Sequence, residues 1–178
     1  MAEQRTSYRV ALGGIVAALC IVLMFLTGVF PALYIAAPMA AGVLMIVLVE
    51  EVSVGWGWLT YIAVSLLALI VTFDKEAALM FILFFGYYPI LRQNLEHIKQ
   101  KLLRVFAKLL LFNVFLVLDW WLTVYVLGLP SFDDTAPYMY AVLIIAANAM
   151  FFFYDKLLSR MGWFYHKVFV KKVHGHRR

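Results

Sequence analysis

The chain has 178 residues, 66% of them hydrophobic and 14% charged, with a formal net charge of +5. Its mean hydropathy is +0.92. Soluble domains are roughly 45–50% apolar and about 25% charged, so a water-soluble globular domain is excluded. A disordered chain is excluded as well, because disorder needs low hydrophobicity and high charge.

Six apolar segments follow in chain order. The first runs from about Val10 to Phe30, the second from about Ala32 to Val49, and the third from about Val54 to Phe73. The fourth covers about Ala77 to Leu91, the fifth about Val105 to Leu127, and the sixth about Tyr138 to Tyr154. Each is a continuous apolar run. None is a ten-residue stretch of alternating polarity, which argues against barrel strands. Helices that satisfy their own backbone are then the remaining way to cross a bilayer. The fold class expected is all-α, a polytopic membrane protein of six transmembrane helices. It forms one integral membrane domain over residues 1–178. The fourth segment is short for a bilayer of about 30 Å and is expected to be buried among its neighbours or to extend through Gly86 and Pro89. The first segment is longer than a signal h-region and is followed by no A-x-A site, so it reads as a retained helix.

Lys and Arg set the orientation. With the N-terminus in the cytoplasm, every basic residue but Lys75 falls on the inner side. The inner set is Arg5 and Arg9, then Arg92 to Lys108, then the tail from Lys156 to Arg178. Asp74, Glu76, Asp133 and Asp134 mark the outer loops. Both termini are therefore expected in the cytoplasm. The net positive charge belongs to the inner rim, where anionic lipid attracts each Lys or Arg by about 1 kcal/mol. A nucleic-acid partner is not needed to explain it.

Two segments lie outside the spans. Between Ile90 and Lys108, Leu91, Leu95, Ile98, Leu102 and Phe106 recur at steps of three and four and are expected to share one face of an interfacial helix. The tail over residues 155–178 combines Trp163, Phe164 and Tyr165 with basic residues and reads as a basic interfacial segment. His174 and His176 are two potential ligands without a third, so no metal site is expected. The one cysteine, Cys20, makes neither an internal disulfide nor a cysteine cluster and reads as a small buried hydrophobe.

Few residues remain to carry chemistry. Asp119 lies about three positions outward of the middle of the fifth segment. A charged Asp at a span centre costs roughly 2.5–3.5 kcal/mol, and no Lys or Arg in any span is available to neutralise it. Thr123 follows one turn outward on the same face. Trp120 and Tyr125 are candidate aromatic walls, and Asn148 in the sixth segment is a candidate across the helix interface. Ligand binding is therefore assigned to Asp119, Trp120, Tyr125 and Asn148. Asn113 points to another face at 100° per residue and is expected to bond to a neighbouring helix. Small residues supply a second signal. Ala11, Gly14 and Ala18 line one face of the first helix, widened by Gly13 and Ala17, and such strips allow close helix approach. Ala36, Ala40 and Ala37, Ala41 repeat that spacing around Pro38, which is expected to kink its helix. No G-x-S-x-G, H-E-x-x-H or Walker A pattern is present. No enzyme activity, catalytic residue or cofactor is expected.

The run Tyr8-Arg9-Val10-Ala11-Leu12-Gly13-Gly14-Ile15-Val16-Ala17-Ala18-Leu19 resembles the first-helix strip of the substrate-binding (S) subunits of energy-coupling factor transporters. Length and span number are similar across the whole chain. The resemblance implies six helices with both ends inside, in a bacterial plasma membrane. It implies that Ala11, Gly14 and Ala18 dock on a coupling membrane subunit served by ATPases. It also implies a small polar, vitamin-like ligand taken from the outer side, on residues such as Asp119, Trp120, Tyr125 and Asn148. A function of another class stays open: a non-transporting membrane scaffold in envelope assembly, recruiting partners through the basic helix and tail.

Overall fold

The computed structural model describes residues 2–128, 137–165 and 167, and among them it is helical with no strand. Asp133, Asp134, His174, His176 and nearly all of the tail beyond Tyr165 lie outside the described residues. Seven α-helices follow in order: α1 Ala2–Val29, α2 Ala36–Glu51, α3 Val54–Val71, α4 Lys75–Met80, α5 Tyr88–Glu96, α6 Lys101–Tyr125 and α7 Pro137–Tyr165. A short 3₁₀ turn, Pro31–Leu33, precedes α2, and a π-helical segment, Phe81–Phe85, separates α4 from α5. Three stretches are long and apolar enough to cross a membrane by themselves: Thr6–Val29, Val54–Val71 and Tyr138–Phe164.

The helix in the middle is α2. It is apolar on all sides, as a helix surrounded by others must be. One side gives Ala41 and Met45 to a core shared with Val16, Cys20 and Met24 of α1 and with Val64 and Ala68 of α3. The other gives Ile46 to a second core, built on Phe84, Phe85, Tyr88, Phe112, Phe115, Phe151 and Tyr154. In that aromatic core Phe84 stacks on Tyr88 at 4.7 Å and on Phe115 at 5.0 Å between ring centroids. Cys20 is fully buried, with Sγ 3.5 Å from the Ala41 carbonyl, as expected of a small hydrophobe.

Local chemistry explains the helix ends on the side of Phe30. Asp74 Oδ1 accepts from the backbone N–H groups of Glu76 and Ala77 at 3.1 and 3.2 Å, an N-cap that starts α4. Lys75 Nζ donates to the carbonyls of Leu69 and Thr72 at 2.7 and 2.8 Å. It satisfies orphan carbonyls at the end of α3, where a cation also suits the helix dipole. The one basic residue expected on the outer side is therefore a helix cap.

The fourth apolar segment is broken but sealed. The N–H of Gly86 bonds back to the Phe81 carbonyl at 2.8 Å, an i to i+5 bond. Pro89 has no N–H to offer the Phe85 carbonyl four residues before it. Two phenols cover the freed carbonyls: Tyr61 donates to Ile82 O at 2.6 Å and Tyr154 to Phe85 O at 3.4 Å. The segment is buried over most of its length, as its shortness suggested.

Two expectations are corrected. α2 starts at Ala36, so Pro38 falls in the first turn, where a backbone N–H has no intrahelical partner to lose; no kink is required of it. The amphipathic stretch is not one helix. α5 ends at Glu96, and Gln100 turns to an extended ψ of 113° before α6 begins. Leu102 and Phe106 are exposed on α6, so they do not continue the face of Leu91 and Leu95. The part of the basic tail that is described, residues 155–165, continues the helix of α7.

Candidate functional site

The polar side chains gather at two ends of the bundle. Towards the end of α6, Asp119 Oδ1 and Thr123 Oγ1 are buried without a hydrogen-bond partner. The four-residue spacing places them on one helix face, as expected. Glu76, at the start of α4, is the acid within electrostatic reach of Asp119. Burial, with Asp74 beside it, pushes the Glu76 carboxyl above its usual range. Tyr34, just before α2, senses Glu76, Asp74 and Asp119 together. Among the described residues every ion pair lies at the other end of the bundle, so no Lys or Arg pairs with this group. The arrangement is a half-buried cluster of acids in which one Asp119 carboxyl oxygen and the Thr123 hydroxyl are left without partners. It suits a positively charged or hydrogen-bond-donating ligand.

The other residues assigned to ligand binding do not converge on Asp119. Trp120 and Tyr125 lie exposed on α6 with their rings edge to face at 6.3 Å. Trp121 also packs on Tyr125, at 5.8 Å. Asn148 is engaged elsewhere. Its amide and that of Asn113 exchange hydrogen bonds of 3.0 and 3.3 Å between α6 and α7. The neighbouring-helix role expected of Asn113 is therefore what the structure has. Sequence spacing missed the electrostatic influence of Tyr34 and Glu76 on this group, because both are remote from Asp119 in sequence.

At the opposite end stands a network that was not anticipated. Lys108 was read as part of a basic rim, yet only 7% of its side chain is exposed. Its ammonium donates to Glu96 Oε1 at 2.7 Å and to Asp155 Oδ2 and Oδ1 at 2.9 and 3.0 Å. Arg92 reaches Asp155 through Nε at 2.8 Å and Glu96 through Nη2 at 3.0 Å. The Arg92 Nη2 also donates to Ser159 Oγ, and Tyr88 donates its phenol to Asp155, each at 2.7 Å. Arg104 Nη1 closes on Glu96 Oε2 at 2.9 Å. Burial works against ionisation of Glu96, but the Lys108 hydrogen bond and the charges of Lys108, Arg92 and Arg104 outweigh it and hold the carboxyl below its usual range. The one local signal was the Arg92–Glu96 spacing of four; the partners on α6 and α7 are remote in sequence.

On α1 the small residues divide between two faces. Gly13 is buried against Thr60 and Trp56 of α3. Ala11, Gly14 and Ala18 are exposed, and open space surrounds Gly14. Ile15, Leu19 and Val22 extend the same exposed surface. Among the described residues no cluster of His, Cys, Asp and Glu is arranged to hold a metal ion. The chain matches no protein-family model, no curated protein and no solved structure.

Proposed function

We propose that this chain is the ligand-binding membrane component of an uptake system, similar to an S subunit of an energy-coupling factor transporter. It threads a bacterial plasma membrane six times with both termini in the cytoplasm, takes a small polar ligand from the outer side, and depends on a separate coupling subunit and ATPases. The observation that carries the reading is the buried, unpartnered Asp119 carboxylate oxygen with Thr123 beside it. Intramembrane acids are expensive and are kept for function more often than not. The ligand class that fits is a small water-soluble molecule with a cationic or donor group for Asp119. The exposed strip of Ala11, Gly14 and Ala18 supports a docking role for α1, because small residues let another helix approach closely.

The test is ligand-induced thermal stabilisation of the purified full-length protein against a panel of water-soluble vitamins and their amine precursors. The expected result is one class of hit, lost in Asp119→Asn and kept in Asn148→Ala. A hit that Asp119→Asn leaves unchanged removes Asp119 from the site. For docking, affinity purification in mild detergent is expected to recover a coupling subunit and ATPases with the wild type and to lose them with Gly14→Trp. Recovery of cell-envelope proteins in their place favours a scaffold.

A further inference from the structure

The side chains that join α6 to α7 form an antiparallel seam. Lys108 meets Asp155 at 2.9 Å, Phe112 stacks on Phe151 at 4.7 Å between ring centroids, and Asn113 exchanges amide bonds with Asn148. On α7, Asp155, Phe151 and Asn148 recur at steps of four and three, and the same count next reaches Ile144 and then Ala141. On α6, the buried Lys108, Phe112 and Phe115 lead in the same way to Asp119. Counted along both helices from the three contacts, Ile144 comes level with Asp119, and Ala141 with Thr123.

The seam is joined over one half only. Phe151 is 2% exposed but Ile144 is 51% exposed, and every residue from Tyr138 to Ala146 is exposed. That stretch is more than two helical turns, so it is exposed on the side towards α6 as well as on the side away from it. Asp119 and Thr123 are only partly covered, and Asp119 Oδ1 and Thr123 Oγ1 have no hydrogen-bond partner. Where the exposed stretch begins, the Asn148 amide also donates to the Ile144 carbonyl at 2.8 Å. Side-chain bonds to the carbonyl four residues back compete with the helix ladder and bend helices. Joining the rest of the seam would bury Ile144. It would also seal Asp119 from water, and a buried polar group without a partner is costly. The two effects oppose each other, and whether Asp119 has a partner decides between them.

We propose that the unjoined half of the α6–α7 seam is a gate to Asp119. It stands open while the acid has no partner and closes, Ile144 over Asp119, once the acid is satisfied. The occupant of the exposed α7 face is then α6 of the same chain, because that face continues an interface the two helices already form. The gate regulates the site proposed above and rests on that reading. Its closure is read without any ligand, so a ligand screen can fail with the gate intact, and the gate can fail with the site intact.

The test is disulfide cross-linking of the full-length protein in membranes. The pair Trp120→Cys and Ala141→Cys lies seven residues beyond Asn113 and Asn148, one heptad further along the seam, and both positions are exposed. The native Cys20 is fully buried and stays in place. Oxidation with copper phenanthroline is expected to give a disulfide within one chain. Asp119→Leu is expected to speed its formation about tenfold, the scale of an unpaired polar group no longer taken out of water. Val142→Cys in place of Ala141→Cys turns the thiol about 100° away from the seam and is expected to slow the reaction at least tenfold. That comparison leaves Asp119 unchanged, so it decides the matter if Asp119→Leu fails to fold. Equal rates for the two pairs, no disulfide in either, or a rate that a folded Asp119→Leu leaves unchanged overturns the gate. Disulfides between chains in place of those within one also overturn it and give the exposed face of α7 to a second copy.

Discussion

Asp119 and Lys108 sit on the same helix and are treated by their surroundings in opposite ways. Lys108 has a partner for every donor, whereas Asp119 has an oxygen with none. Removing one member of a buried charged set leaves the others uncompensated, so Lys108→Ala is expected to cost about 3 kcal/mol or more. The measurement is the thermal or denaturant midpoint in detergent. Asp119→Asn is expected to do the reverse. It replaces an acid whose buried Oδ1 has no hydrogen-bond partner and should raise unliganded stability by about 1 kcal/mol, the usual signature of a group kept for function. A fall in the midpoint with Asp119→Asn marks Asp119 as structural. Glu96 supplies a pH dependence. Its carboxyl titrates below the ordinary value of 4.5, so its contribution to stability is present above that value and is lost as pH falls through the lower, folded-state pKa. The thermal midpoint of the wild type should drop on the acid side of about pH 4.5, and that of Glu96→Gln should drop less. The rarity of Asp119 in an apolar run was visible from the residues alone. The burial of Lys108 was not, because Glu96 and Asp155 approach it from helices 12 and 47 positions away.

At the level of elements, apolar runs located the helices well and their interruptions poorly. Runs are governed by hydropathy, which is local, and the six segments correspond to α1, α2, α3, the α4–α5 unit, α6 and α7. Breaks are governed by caps and packing, which is why the stretch from Ile90 to Lys108 looked continuous: its apolar spacing survives the turn at His97–Gln100. The glycines give a test of the packing. A Cβ at Gly57 would lie 2.7 Å from Val49 Cγ2, and one at Gly86 2.8 Å from the rings of Phe81 and Tyr61. Gly57→Ala and Gly86→Ala are each expected to cost about 1–3 kcal/mol through overpacking. Gly14→Ala meets open space and should be neutral to slightly stabilising, since Ala is the better helix former. Similar losses at all three positions would mean that the exposed face of α1 is packed after all.

For the molecule as a whole, the proposed threading rests on an asymmetry of charge, and chemistry applied from each side tests it. Single cysteines at Lys75 and Lys99 are suitable reporters, because the native Cys20 is fully buried. A membrane-impermeant maleimide added to intact cells should label Lys75→Cys at once, and Lys99→Cys only after permeabilisation. The opposite pattern inverts the orientation, and labelling of both from outside ends the six-span reading. The aromatic core and the charged set near Asp155 both join α7 to the fourth segment and α6, so the second half of the chain is held together at one end and in its middle. The first part of α7 is exposed from Tyr138 to Ile145, as suits a helix facing lipid.

The bond from Tyr61 to the Ile82 carbonyl has a consequence for biogenesis. A segment that is short, bent and short of backbone hydrogen bonds partitions poorly into a bilayer by itself. The donor belongs to α3, 21 residues earlier in the chain, so in the proposed threading α3 reaches the bilayer before the broken segment does. In that threading, insertion of the fourth segment becomes a two-helix event assisted by α3. A nascent chain carrying Tyr61→Phe would stall or slip at this step even though α3 itself remains a good span.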